Sequence, residues 1–311
     1  QRPNLPLLGV PNGTNPLEIV APTFLVAGIS QTTPLDSAYN TVIISLLTNV
    51  NLRGSESSFL YIQGLLGAVF LDSNLPVFFE VQSQSGGFNP LFVVNGSFVR
   101  GSNVNITIPV DGLVVAHTLH RLSFSFRNPL DVQSSPVINI TAQGTESFPI
   151  TNSVYSNESR LGVVQGASPL FVIRPDFVVK GISQSTPVAS VTNILSLSLR
   201  FNCDLPVGST LTISGLNNFN TSDTVLQTVS TPQNSFNVNA TWNVTTGTLI
   251  LTASNVSGWQ LILVQFRLEN VDYDQNTTAI NISGNVFIPF YGSSLRTAFM
   301  DRNSDKRYGV E

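Results

Sequence analysis

Residues 15–34 read NPLEIVAPTFLVAGISQTTP, and residues 168–187 read SPLFVIRPDFVVKGISQSTP, the same string returning 153 residues later. Self-similarity at a fixed long period defines architecture more firmly than local propensity does, because each repeat is one structural unit. Two tandem domains are therefore expected, residues 15–160 and 161–311, with residues 1–14 as the end of a preceding repeat or linker. That last assignment rests on Leu8-Gly9-Val10, which stands 153 residues before Leu161-Gly162-Val163, with Pro16 and Pro169 in the same register. A third such signature, Arg307-Tyr308-Gly309-Val310, matches Arg160-Leu161-Gly162-Val163, so the sequence reads as beginning and ending at repeat boundaries. The duplicated stretch then reads as the lead-in strand and linker of a repeating unit.

Inside each repeat the period is that of strands. Leu195, Leu197, Leu199, Phe201 and Cys203 alternate with Ser196, Ser198, Arg200, Asn202 and Asp204, the period of two that marks a strand with one buried face. Val42, Ile44, Leu46, Val50 and Leu52 hold the equivalent positions in the first repeat, so Cys203 is expected to point inward as a small hydrophobe. Further matched pairs are FLYIQGL at 59–65 with TLTISGL at 210–216, Phe124 with Phe266, Asn128 with Asn270, and Ile138 and Ile140 with their counterparts at 280 and 282. About seven to nine short strands per repeat, separated by turn residues and without a helical period, indicate an all-β chain of two antiparallel β-sandwich domains, immunoglobulin-like in type. Trp242 aligns with Phe98, and a matched aromatic pair is expected to anchor the two cores.

Composition excludes several classes of function. Charged residues are 10% of the 311, against about 25% in ordinary soluble proteins, and the net charge of −4 contains no basic block. Neither nucleic acid nor an anionic membrane surface is an expected partner. The single cysteine rules out a disulfide within the chain. No apolar run approaches the roughly 18–20 residues of a membrane-spanning helix.

Residues that could carry chemistry are sparse. The two histidines, His117 and His120, stand i, i+3, but no third ligand recurs nearby and the second repeat has Trp259 and Ile262 at the aligned positions. No metal site is read there. Asp272 and Asp274 form a D-x-D that could contribute to a calcium site, yet calcium takes six to eight oxygens, and these carboxylates read better as solvated turn residues. No nucleophile elbow or Gly-rich phosphate loop occurs. The reading is of a chain with no catalytic residue and no cofactor.

The compartment is read from Asn-x-Ser/Thr triplets. These occur at Asn12, Asn95, Asn105, Asn139, Asn157, Asn220, Asn239, Asn243, Asn255, Asn276 and Asn281. Composition alone would give roughly six in so Asn-, Ser- and Thr-rich a chain. Placement adds weight, because Asn95 matches Asn239 and Asn139 matches Asn281 in the two repeats. Extracellular or cell-surface location with N-linked glycans is expected, and glycans would help to solubilise a surface so poor in charge.

The run at 208–216 (GSTLTISGL), Trp242 followed by TGTLILT at 246–252, and VQFRLEN at 264–270 resemble a repeat found in very large secreted or cell-surface proteins of algae and other protists. The first repeat carries the pattern more weakly, with Phe98 in place of the Trp. The resemblance implies a modular extracellular structural glycoprotein of the kind that forms surface filaments such as flagellar hairs, whose partners are neighbouring copies of itself or of the same array. It carries over no binding residue. The residues leave a second class open, an adhesin or carbohydrate-binding module acting through loops at one end of a sandwich.

Overall fold

Alternation of apolar and polar residues sets the layers. The computed structural model describes residues 5–71, 74–99, 102–144 and 147–302, so the expected third signature at Arg307-Tyr308-Gly309-Val310 lies outside the described residues. The chain falls into two compact units. The first comprises Gln1–Arg160 with Val164–Ile173, and the second comprises Leu161–Val163 with Arg174–Glu311. The chain is thus not cut once at a single boundary. Leu161–Val163 belongs with the repeat it precedes, and the residues just after it are built into the first domain.

The first domain contains β1 (Phe24–Gln31), β2 (Tyr39–Thr48), β3 (Leu52–Arg53), β4 (Phe59–Gln63), β5 (Leu75–Gln82), β6 (Phe88–Val99), β7 (Asn103–Thr107), β8 (Leu113–Val114), β9 (His120–Arg127), β10 (Asn139–Gln143), β11 (Thr151–Asn152) and β12 (Val154–Tyr155). Its strand order runs β12-β1-β2-β9-β5 in one layer and β11-β10-β4-β7-β6 in the other, with β3 and β8 forming a separate short ribbon. The order β1-β2-β9-β5 facing β11-β10-β4 is the ABED/GFC arrangement of an immunoglobulin-type sandwich, with β6 and β7 added beside β4. The long strand β6 joins the layers, its first part pairing β5 and Ser97 to Val99 pairing β7. Inward residues of both layers form one core, including Val42, Ile44, Leu60, Ile62, Phe79 and Phe124.

The second domain repeats the plan with β13 (Phe177–Gln184), β14 (Thr192–Phe201), β15 (Thr210–Ser214), β16 (Val225–Thr231), β17 (Asn239–Asn243), β18 (Thr248–Thr252), β19 (Ile262–Glu269), β20 (Asn281–Val286), β21 (Ser293–Phe299) and β22 (Asp301–Arg302). Its order is β22-β13-β14-β19-β16 and β21-β20-β15-β18-β17, with β16 as the strand shared between layers. The alternation along β14 is realised, with Leu195, Leu197, Leu199 and Phe201 all buried, and Cys203, two residues beyond its end, is buried too.

The Leu-Gly-Val signature has a definite structural task. In the first domain the Leu8 carbonyl accepts from the Asn51 N–H at 2.9 Å, and the Asn51 Oδ1 accepts from the Ala116 N–H at 2.8 Å. In the second domain the Leu161 carbonyl accepts from the Asp204 N–H at 2.8 Å, and the Asp204 Oδ1 accepts from the Gly258 N–H at 2.7 Å. Gly9 and Gly162 sit at φ of 84° and 68° with Cβ positions only 2.5 Å and 2.4 Å from those Asn and Asp carboxamide or carboxylate oxygens, so both left-handed backbone and close approach require glycine.

The aromatic pair behaves unequally. Trp242 is buried and its Nε1 donates to the Thr221 carbonyl at 3.0 Å, as a core Trp requires. Phe98 is 44% exposed and packs on Phe70 with ring centroids 4.6 Å apart. The anchor role read for both holds for Trp242 alone. Phe98 follows the stretch in which the two repeats diverge most, and Phe70, which comes from that stretch, covers the core in its place against Phe124 and Phe126.

Candidate functional site

The feature that sets this chain apart from a plain sandwich lies at the end of each domain where the GISQ-T/S-TP stretch leaves its strand. Gln31 ends β1, Asn40 lies in β2 and Asn128 follows β9, and the antiparallel pairing of these three strands brings the carboxamides together. The Asn40 Nδ2 donates to Gln31 Oε1 at 2.9 Å and to Asn128 Oδ1 at 2.8 Å, while Asn40 Oδ1 accepts from the N–H groups of Thr32 and Thr33, each at 3.2 Å. Asn128 Nδ2 donates to the Thr33 and Leu35 carbonyls. All three side chains are buried, and their mutual bonds offset the cost of desolvating them.

The second domain builds the same network from Gln184, Asn193 and Asn270. Asn193 Nδ2 donates to Gln184 Oε1 and Asn270 Oδ1, each at 3.0 Å, and Asn270 Nδ2 donates to the Thr186 and Val188 carbonyls. What differs is the cover. In the first domain Gln31 Nε2 also donates to the carbonyls of Gly166 and Phe171, and Gln31 Oε1 accepts from the Leu170 N–H at 2.8 Å. Backbone bonds extend the contact: Val172 and Gln133 exchange N–H···O bonds, Ile173 N donates to the Pro34 carbonyl at 2.7 Å, and Asp36 N donates to the Ile173 carbonyl at 2.9 Å. Gln133 Nε2 donates to the Leu170 carbonyl, and the Ser135 hydroxyl donates to that of Pro169. Leu170 itself joins the first domain's hydrophobic core at 0% exposure.

Residues 166–173 (GASPLFVI) thus complete the end of the first domain, although by sequence they open the second repeat. In the second domain no described residue covers the equivalent end in this way. Gln184 is exposed where Gln31 is 1% exposed, and Val188 is 57% exposed where Leu35 is fully buried. A cavity of about 650 Å³ lies there, lined by Gln184, Pro187, Asn270, Gln275, Thr277 and Ile280 among others, a size within the roughly 300–1,000 Å³ usual for ligand sites.

No protein-family model matches the sequence, and neither does any curated protein. Among solved structures the chain is similar to the C-terminal domain of the Streptococcus pyogenes antigen I/II-family protein AspA, at 9% identity over 91% of this chain and 99% of that one, with a TM-score of 0.40. It is similar also to the collagen adhesin CNA from S. aureus (10% identity, 90% and 91% covered, TM-score 0.25) and to the N-terminal domain of the Streptococcus gordonii adhesin Sgo0707 (6% identity, 85% and 62% covered, TM-score 0.28). Likenesses this distant carry no inference about ligand or partner.

The sequence candidates are dispersed over the two domains. Asn12, Asn95, Asn157, Asn220, Asn239, Asn243, Asn255 and Asn276 are exposed, while Asn105, Asn139 and Asn281 are half-buried on outward positions of strands. Asp272 and Asp274 are exposed, and no group of three or more His, Cys, Asp or Glu stands together among the described residues. Cys203 is buried. His117 sits in a turn at φ 55°, whereas His120 is buried at the start of β9.

The His120 Nε2 lies 3.0 Å from the Val115 N and 3.1 Å from its carbonyl oxygen. Burial pushes the His120 pKa below its ordinary value of 6.5, and the backbone bond to Val115 offsets this only in part. The folded chain therefore binds this proton less tightly than the unfolded chain does. The resulting stability is fully present above about pH 6.5 and is lost as pH falls below it. His120→Leu is expected to flatten the fall in melting temperature between pH 7.5 and pH 5, read by calorimetry.

The carboxamide network and the covering segment were not among the sequence candidates. A signal was available, because Gln31 and Asn40 recur as Gln184 and Asn193 within strands whose other inward positions are apolar apart from Thr48.

Proposed function

We propose that the chain is a non-enzymatic, extracellular structural glycoprotein whose tandem β-sandwich repeats form or coat a surface filament. One observation carries the reading: the lead-in of the second repeat, residues 166–173, completes the carboxamide-lined end of the first domain. A repeat whose end is finished by the segment that opens the following repeat favours arrays over isolated domains, since stability in such arrays is shared between neighbours. The low charge, the eleven glycan acceptors and the resemblance to repeats of large algal and protist surface proteins support the same reading. An adhesin-like recognition module is the second reading, favoured by the open cavity of the second domain.

Electron microscopy of the native material separates the two. Regular polymers with an axial repeat of one or two domains are expected, whereas isolated monomers that retain glycans on an array would contradict the structural reading. Peptide mapping of the same material is expected to find glycans among the exposed acceptors. Asn105 and Asn139, whose Oδ1 atoms are covered without a bonding partner, are expected to be bare, because a glycosylated amide there would have to leave the sheet surface.

A further inference from the structure

The outward face of β5 and β6 carries an apolar row. Phe78 is 50% exposed and stands directly opposite Val93, which is 59% exposed. Pro76, the outward residue before Phe78 on β5, is exposed as well, and so is Leu91, two residues before Val93 on β6. Leu75, Val77 and Phe79 alternate with these positions and lie in the core, so the pleat of β5 itself holds Phe78 in water. On the far side of Phe78 the row turns polar at Ser123 of β9. The row is therefore narrow and bounded, and it is apolar surface that calls for a cover.

The same face carries an acceptor for N-linked sugar. Asn95, of the triplet Asn95-Gly96-Ser97, is exposed and stands opposite Pro76, which makes Phe78 its diagonal neighbour across the strand pair. Residues so related lie about 7–8 Å apart, within reach of long side chains, and an asparagine bearing a pyranose ring is longer than any of them. Val93 precedes Asn95 by two residues on β6 and shares its face. One face of a pyranose presents only C–H groups, and its N-acetyl group ends in a methyl, a shape and polarity that pack on an aromatic ring. We propose that the first sugar of a glycan on Asn95 folds down over Phe78 and Val93 and is the cover of this row. The inference rests on the glycoprotein reading above and gives one of its acceptors a structural part. The covalent tether makes the contact intramolecular, at an effective concentration on the order of millimolar. A row this narrow falls short of the roughly 20–30 residues a side of a specific protein interface.

The second domain supplies a contrast. Its matched acceptor, Asn239, stands opposite Gln227 as Asn95 stands opposite Pro76, and Gln227 Nε2 donates to Asn239 Oδ1 at 2.7 Å. In the same register Val229 takes the place of Phe78 and Asn237 that of Val93. A sugar on Asn239 thus meets a polar partner, and the matched positions offer it no aromatic ring.

Proton NMR tests the cover on the full chain, secreted by a glycosylating host and trimmed enzymatically to one N-acetylglucosamine at each occupied acceptor. Ring current from Phe78 is expected to move the N-acetyl methyl resonance of the Asn95 sugar upfield. Phe78→Thr is expected to return it to the position of the Asn239 sugar. Asn95→Gln, which removes the sugar, is expected to lower the first domain's melting midpoint by about 2–4 °C, the shift of one aromatic contact in a domain of this size. It is also expected to raise binding of a hydrophobic dye, and in the Phe78→Thr background to change neither quantity. An unshifted methyl on an occupied Asn95, or an equal loss of midpoint with and without Phe78, would overturn the proposal. Association of the glycosylated chain that Phe78→Thr abolishes would give the face to a second copy and overturn it too. Native chains with sugar on other exposed acceptors but none on Asn95 would sink the cover and leave the glycoprotein reading standing, whereas chains bare at every acceptor would sink both. A packed sugar on chains that form no filament would sustain the cover and sink the array.

Discussion

Leu170→Ala is expected to destabilise the first domain by about 2–5 kcal/mol, the range for deleting a buried leucine side chain. The equivalent change at Leu17 is expected to fall within about 0.5 kcal/mol, as for surface substitutions. The two residues share sequence context and backbone conformation and differ in what covers them, 0% against 93% exposure. Leu170 lies outside the sandwich strands yet belongs to their buried core. Its loss leaves a cavity and loosens the backbone that caps Gln31 through Leu170 N. Scanning calorimetry of the two variants reads the contrast directly, and equal shifts at the two positions would mean that residues 166–173 lie on the first domain without supporting it.

Asn40→Leu is expected to cost the first domain about 3–5 kcal/mol. The substitution removes the acceptor of the buried Thr33 N–H and the donors to Gln31 and Asn128, and each buried polar group left unpaired costs about 1–3 kcal/mol. Asn193→Leu makes the same cut in the second domain. There Gln184 is exposed and Asn270 is only half-buried, so water replaces part of what is lost and the expected cost is about 1–3 kcal/mol. Chemical denaturation of both variants compares them within one chain. A larger loss at Asn193 than at Asn40 would show that cover by residues 166–173 does not keep water from the network.

Where a residue's burial follows from its own strand, the sequence made it legible. The alternation at Leu195 to Cys203 located β14 and its inward face, and the matched pair Phe124 and Phe266 located β9 and β19, because period two depends only on the local pleat. The duplicated GISQ stretch likewise located β1 and β13. What stayed hidden depends on partners far along the chain. Gln31 followed by Thr-Thr-Pro reads as the start of a turn, and its burial becomes visible only once residues 166–173 are seen to fold back over it. Leu17 and Leu170 cannot be told apart by any local pattern, since one motif has opposite burial in its two copies. The half-exposure of Phe98 follows from the stretch where the repeats diverge, residues 64 to 95, since Phe70 from that stretch covers the core in its place, and there the repeat comparison loses its register.

The central claim is that the segment opening the second repeat finishes the end of the first domain, and backbone hydrogen exchange on the dilute chain tests it most directly. In the dilute chain the Leu170 and Val172 amides and the Asp36 amide bonded to Ile173 are expected to exchange as slowly as the first domain's core strands, while the Leu17, Ile19 and Ala189 amides exchange freely. Fast exchange at Leu170 and Val172 would contradict it.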